Sequence, residues 1–273
     1  MTRRVLAIGG IAALLAIAAA PGASASVPEG PRLAFTRLSA RPEALQILSA
    51  DPIGGAAQLI VSGDRRHLPL PYPFTGPSWS PDGSQLAFSG VPRLPKRHGA
   101  LPPLQVYLVA ADGSGLRAVP GTNGGYAPIF SPDGHTLAFS RVRERVRRER
   151  GKRRGMKVVY ESASIWLVDL ATGAVRQLTP WRNHLVNVAS SFSPDGSVLA
   201  LSRRVGNRQE AVALRLDGSG STVLSKGGLA PVYSPDGSQI ALLRGKRRTF
   251  RERHREGRTI IESRTTTTVT DPS

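Results

Sequence analysis

Two arginine-rich runs are the parts of this chain best equipped to act on a partner. RVRERVRRERGKRRGMK (141–157) holds ten basic and two acidic residues, and RGKRRTFRERHREGR (244–258) holds eight and two. They contribute +8 and +6 of a formal charge of +18, so the rest of the chain carries little net charge. Such a density of like charge attracts acidic proteins and anionic polymers. The first run offers Arg141, Arg143, Arg145, Arg147, Arg148, Arg150, Lys152, Arg153 and Arg154, and the second Lys246, Arg247, Arg248, Arg251, Arg253 and Arg255. A third cluster, in TPWRNHLVN (179–187), places Trp181, Arg182 and His184 together.

Catalytic patterns are sparse by comparison. The histidines His67, His98, His135, His184 and His254 form no HxxxH pair, and no GxSxG elbow occurs. The chain has no cysteine, which excludes disulfides, thiolate nucleophiles and Cys-ligated zinc. No metal site and no cofactor is expected. Asp82, Asp133, Asp195 and Asp236 recur, but each local stretch offers one carboxylate where calcium takes about 6 to 8 oxygens, so turn capping is the better reading. An enzyme reading survives as an alternative: a hydrolase or lyase acting on an anionic polysaccharide, with His184 the residue to test.

The elements that position these groups are set by a repeat. WSPDGSQLAFSG (79–90), FSPDGHTLAFSR (130–141), FSPDGSVLALSR (192–203) and YSPDGSQIALLR (233–244) share one plan. An aromatic residue precedes Ser-Pro-Asp-Gly, and an apolar run follows a short polar pair. Pro sets φ for the second turn position, Asp bonds the backbone ahead, and Gly accepts positive φ. Asp82-Gly83, Asp133-Gly134, Asp195-Gly196 and Asp236-Gly237 are therefore structural turn residues. PSW, PIF, SSF and PVY read as an inner strand, and QLAFS, TLAFS, VLALS and QIALL as a second strand buried on both faces. LQVYLVAADGSG (104–115), SIWLVDLATG (164–173) and EAVALRLDGSG (210–220) supply a third strand and a second turn. LRAV, VRQLT and STVL supply a fourth.

The repeated prolines, Pro81, Pro132, Pro194 and Pro235, are 51, 62 and 41 residues apart. The shortest interval is close to one four-stranded propeller blade, and the longer ones require insertions. The pattern resembles the TolB-type, WD40-like β-propeller repeat of exported bacterial proteins, over almost the whole chain after its N-terminus. That resemblance implies an all-β propeller of about five four-stranded blades, near 31–70, 75–120, 126–179, 186–225 and 229–273. RLAFTR, ALQILSAD and AQLIV open the series without an inner strand, and TTTTVTD ends it without an outer one. Either irregular end segments fill those places or the chain is shortened relative to a larger, six-bladed ring. TolB's separate N-terminal domain is not matched, so TolB's own docking role does not carry over. The histidine-rich metal site of propeller-type oligosaccharide lyases is not matched either.

Arg3, Arg4, the apolar run from Val5 to Ala20 and Ala23-Ser24-Ala25 read as a signal peptide over residues 1–25. Cleavage near Ala25 would release residues 26–273 to the periplasm, the cell envelope or the medium, by the general or the twin-arginine route. The apolar run is short for a retained anchor, which needs about 20 residues. In an antiparallel blade the turns alternate between two ends. The Ser-Pro-Asp-Gly and Asp-Gly-Ser-Gly turns then share one end, and the loops between second and third strands share the other with the blade links. Both basic runs fall at that second end, as do VPRLPKRHGA (91–100) and SRRVGNRQE (202–210). The basic runs either extend their blades as hairpins, with Gly151 near one tip, or stay mobile until neutralised. The expected function is a non-enzymatic binding module with a basic face for an acidic protein or anionic polymer. Nucleic acid is not the expected partner, because no recognition fold accompanies the arginines.

Overall fold

The computed structural model describes residues 32–40, 43–53, 55–63, 70–71, 76–92, 103–148, 156–244 and 266–270. Residues 1–31, residues 149–155 of the first basic run with Gly151 among them, and all of the second basic run but Arg244 lie outside them. The described residues contain nineteen strands and no helix. They form five blade-like groups, in which sequence neighbours pair antiparallel. Blade 1 is β1 (Leu33–Ala40), β2 (Glu43–Ala50) and β3 (Gln58–Gly63). In blade 2, β4 (Leu70–Pro71) and β5 (Ser78–Trp79) both pair with β6 (Gln85–Val91) and together make an interrupted inner strand. β7 (Gln105–Ala110) and β8 (Arg117–Ala118) complete it. Blade 3 runs through β9 (Gly125–Phe130), β10 (Thr136–Arg148), β11 (Met156–Asp169) and β12 (Val175–Gln177). Blade 4 runs through β13 (Leu185–Phe192), β14 (Val198–Val205), β15 (Arg208–Arg215) and β16 (Ser221–Lys226). Blade 5 has β17 (Gly228–Tyr233), β18 (Ile240–Arg244) and β19 (Thr266–Thr270). One parallel bridge, Ala163 to Val186, links the neighbouring sheets of blades 3 and 4.

The second strand of each blade is apolar on both sides because it is sandwiched between two neighbours. Side chains alternate across a strand, so Leu137 and Phe139 face one way and Ala138 the other. Leu137 and Phe139 pack on Ala87, Val106 and Leu108 of blade 2. Ala138, Ile165 and Leu167 pack on Leu199, Leu201 and Val212 of blade 4. Leu86, Phe88 and Val109 of blade 2 meet Ile47, Ile60 and Val61 of blade 1. The second strands of blades 2 and 3 thus turn Leu and Phe backward and Ala forward. Burial of Leu86, Leu137 and Leu199 is complete, worth about 1.5–3 kcal/mol per side chain.

A polar stitch follows this apolar run. Ser89, Ser140 and Ser202 end it in blades 2, 3 and 4, and their Oγ atoms accept backbone N–H bonds from Ala127 (3.0 Å), Ala189 (3.1 Å) and Ala230 (2.7 Å) of the next blade. The acceptors meet the inner strand where its register shifts, which frees those N–H groups from the ladder. Ala127 and Ala230 take positive φ, 51° and 47°, a conformation that costs a non-glycine residue about 1–2 kcal/mol. The equivalent position in β18 is Leu243, which carries no such acceptor.

Candidate functional site

The two ends of the blades are chemically distinct. At the turn-side end, the Ser-Pro-Asp-Gly segment is closed by its own side chains. The Gly83 N–H donates to Ser80 O at 2.9 Å. Ser80 Oγ donates to Asp82 Oδ1 at 2.6 Å and accepts from the Gln85 N–H at 2.9 Å. The same bonds recur around Ser131, Ser193 and Ser234. Gly83, Gly134, Gly196 and Gly237 hold φ between 69° and 74°. Successive turns also stack. A Cβ on Gly134, Gly196 or Gly237 would meet Pro81, Pro132 or Pro194 of the preceding blade at 3.5, 3.6 and 3.2 Å.

These contacts occupy the carboxylates. Hydrogen bonds, that from Ser80 foremost, hold Asp82 below the ordinary carboxylate range, and Ser131 acts likewise on Asp133. Ser193 and Ser197 hold Asp195 at about 2, and Ser234 and Ser238 do the same for Asp236. A cavity of about 450 Å³ opens beside two of these turns, lined by Asp133, Arg176, Asp195 and Leu216 among others. The two carboxylates there are already engaged within their turns. Among the described residues, no three His, Asp or Glu side chains gather as a metal site would require.

The third-strand turns lie at the same end: Ala111, Leu170 and Leu216 N–H groups donate to Ser84, His135 and Ser197 carbonyls. The opposite, link-side end is marked by bonds from Gly124 N–H to Leu104 O, Gly206 N–H to His184 O and Gly227 N–H to Gln209 O. There β10 and β11 run on together as far as Arg148 opposite Met156, so the backbone of the first basic run is an extended hairpin over these residues. Arg145, Arg147 and Arg148 occupy positions along it. Arg150, Lys152, Arg153, Arg154, Lys246, Arg247, Arg248, Arg251, Arg253 and Arg255 lie outside the described residues.

Arg141 is the best-defined cation at this end. It stands opposite Gly125 in the ladder, two residues beyond Phe139 and therefore on the same face. Its guanidinium lies 4.2 Å from the centroid of Trp166 and 5.4 Å from that of Phe139. Its Nη2 donates to the Gly121 carbonyl in the link from blade 2. Its Nε is buried and has no hydrogen-bond partner, as is true of Trp166 Nε1. Burial pushes the Arg141 pKa down, and no described carboxylate offsets the charge. Arg143, exposed, places its guanidinium 5.6 Å from the centroid of half-buried Trp181. One face of that indole is therefore occupied by an arginine.

Arg203 takes the corresponding place in blade 4, opposite Asn187. Its Nε donates to Asn187 Oδ1 at 3.2 Å. Asn187 is buried and reaches Thr179 Oγ1 at 3.5 Å, which in turn accepts the Ile165 N–H at 2.9 Å. Gln177 Nε2 donates to Thr179 O at 2.7 Å. Burial lowers the Arg203 pKa, Glu210 across the ladder opposes that, and nearby Arg182 adds to it. Arg182 and His184 are both exposed, and His184 holds a positive φ of 61° in the link. Arg244 occupies the same register in blade 5, opposite Gly228, and its Nη2 donates to Ser225 Oγ at 3.4 Å. Arg244, in sequence merely the first residue of the second basic run, and the stitching serines were not among the candidate site residues. Their signal was nonetheless present, as the recurring FSR, LSR and LLR that end three of the four repeats.

No protein-family model matches the chain, and no curated protein matches it. Among solved structures it is similar to TolB from Acinetobacter baumannii, with a TM-score of 0.57 and 20% identity over 79% of this chain and 46% of that one. It is also similar to a TolB from Agrobacterium tumefaciens, with a TM-score of 0.54 and 19% identity over 81% and 72% of the two chains. The tricorn protease shares the fold at a TM-score of 0.51 and 10% identity, over 77% of this chain and 23% of that one. The chain thus spans less than half the length of the Acinetobacter TolB. Its fold is a TolB-like β-propeller. Propellers of this kind serve in proteins of different activities, so function has to be argued from the site.

Proposed function

We propose that this chain is an exported, non-enzymatic binding module that engages an acidic protein or an anionic polymer through its link-side end. One observation carries the reading: arginines gather at that end while the carboxylates of the repeat are spent at the other. Arg141, Arg143 and Arg182 have no described acidic partner, and the β10–β11 hairpin extends the same surface with Arg145, Arg147 and Arg148. Screening weakens such attraction, so affinity should fall steeply with salt. The test is binding of fluorescent poly-L-glutamate and of heparin to the chain between about 50 and 300 mM salt. Repeating it with residues 145–157 and 245–258 removed should weaken both and flatten the salt dependence. Unchanged affinity after that removal would refute the reading.

A further inference from the structure

The arginine that ends the apolar run of the second strand in blades 3, 4 and 5 has a place in the fold that the rest of the basic runs does not share. Arg141, Arg203 and Arg244 stand in one register, opposite Gly125, Asn187 and Gly228. Each shares a face with residues that pack backward. Phe139 lies against blade 2 and Leu201 against blade 3, while Arg244 reaches Ser225 of blade 4. The three therefore fall in three successive crevices between blades. We propose that they form a row of carboxylate receptors which takes the acidic side chains of an extended polypeptide, one per crevice. This rests on the reading of the link-side end as the binding end.

The geometry suits that ligand. Stacking on Trp166 and the bond to Gly121 fix the Arg141 guanidinium plane and leave the terminal Nη1, not the buried Nε, to donate to a ligand. Asn187 fixes Arg203 through Nε, so that its two terminal nitrogens can be shared between Glu210, across the ladder, and a planar oxyanion. A guanidinium already ordered loses little freedom on binding. Arg141 and Arg203 are recessed, whereas Arg244 is exposed. A carboxylate on the flexible stem of Asp or Glu can enter a recess. One attached directly to a sugar ring is held at the surface of its polymer. The three receptors also differ in their fixing partners, Trp166, Asn187 and Ser225, and so fit a polymer whose groups vary along its length.

The experiment compares Arg141→Gln, Arg203→Gln and Arg141→Lys in the full chain, with poly-L-glutamate and polygalacturonate as probes. A charge-assisted bond of this kind accounts for about tenfold or more in affinity. Each Gln variant is therefore expected to bind poly-L-glutamate about tenfold more weakly, with polygalacturonate affected less. Arg141→Lys, which keeps the charge and loses the planar fork, should remain several-fold weaker, about three- to fivefold. Poly-L-glutamate should also change the tryptophan emission of the parent, and Arg141→Gln should abolish that change. Parent-like binding by both Gln variants, with loss only when the basic runs are removed, would overturn the receptors and leave the binding end standing. Equal losses for the two probes would overturn the polypeptide assignment. No binding by the parent chain would overturn both readings.

Discussion

The turn-side and link-side ends of the blades use polar groups in opposite ways. At the turn-side end, each Ser-Pro-Asp-Gly carboxylate is bonded within its own turn, by Ser80, Ser131, Ser193 or Ser234. At the link-side end, Arg141 and Arg203 are desolvated, ordered by neutral groups, and still have capacity to donate. Polar groups whose bonds are complete within six residues serve the fold. Charged groups ordered chiefly by neutral neighbours keep capacity for something else, in full at Arg141 and in part at Arg203, which faces Glu210 across the ladder. The contrast follows from chain connectivity, since the short turn closes on itself and the link end joins segments remote in sequence.

Mutations can break the comparison. The largest effect is expected in the shared core: Phe139→Ala should cost about 3–5 kcal/mol, read by denaturant unfolding, and should also release Arg141. Ser140→Ala removes the acceptor for the Ala189 N–H and should cost about 1–3 kcal/mol by leaving a buried donor unpaired. Ser193→Ala, at the turn-side end, removes the bond to Asp195 and the acceptor for Val198 N–H. A loss of about 1–2 kcal/mol is expected there. Arg203→Gln removes the donor to buried Asn187 Oδ1 and should cost about 0.5–1.5 kcal/mol, while weakening anion binding as above. A large stability loss in that variant would reassign Arg203 to the fold.

Acid sharpens the same contrast. Asp195 and Asp236 titrate at about 2 in the folded chain, below the unfolded value of about 3.9. A depressed folded pKa contributes stability that is present above the unfolded value and is lost as pH falls toward the folded one. Thermal midpoints should therefore decline from about pH 4 down toward pH 2. In Asp195→Asn combined with Asp236→Asn that decline should be shallower. The arginines stay charged throughout this window and do not themselves contribute to the decline.

Much of this architecture was legible because it repeats. Four copies of Ser-Pro-Asp-Gly announced four turns, and the apolar run after each announced a strand buried on both sides, as Leu86–Val91 is. In blade 2, β5 falls within the PSW read as an inner strand, whereas β4, which pairs beside it on β6, was not legible because it is only two residues long and separated from β5 in the chain. The stitching serines were visible as letters but not as acceptors. Ser140 bonds a residue 49 positions away, and nothing local to LAFS signals that partner. Trp181 was grouped with its sequence neighbours Arg182 and His184, and the structure adds Arg143, remote in sequence, over its ring.

By itself, then, the chain's order of residues determined the all-β class, the turn chemistry and the excess of positive charge. Each of these depends on neighbours within a few positions, through φ preferences, side-chain alternation and composition. The recurring FSR, LSR and LLR align Arg141, Arg203 and Arg244 in the repeat, but only the tertiary structure decided that this position falls in successive crevices and that Trp166 and Asn187 hold two of the arginines. Those relations depend on which strand lies opposite which and how one blade packs on the next, and the segment that carries the arginine names none of these remote partners.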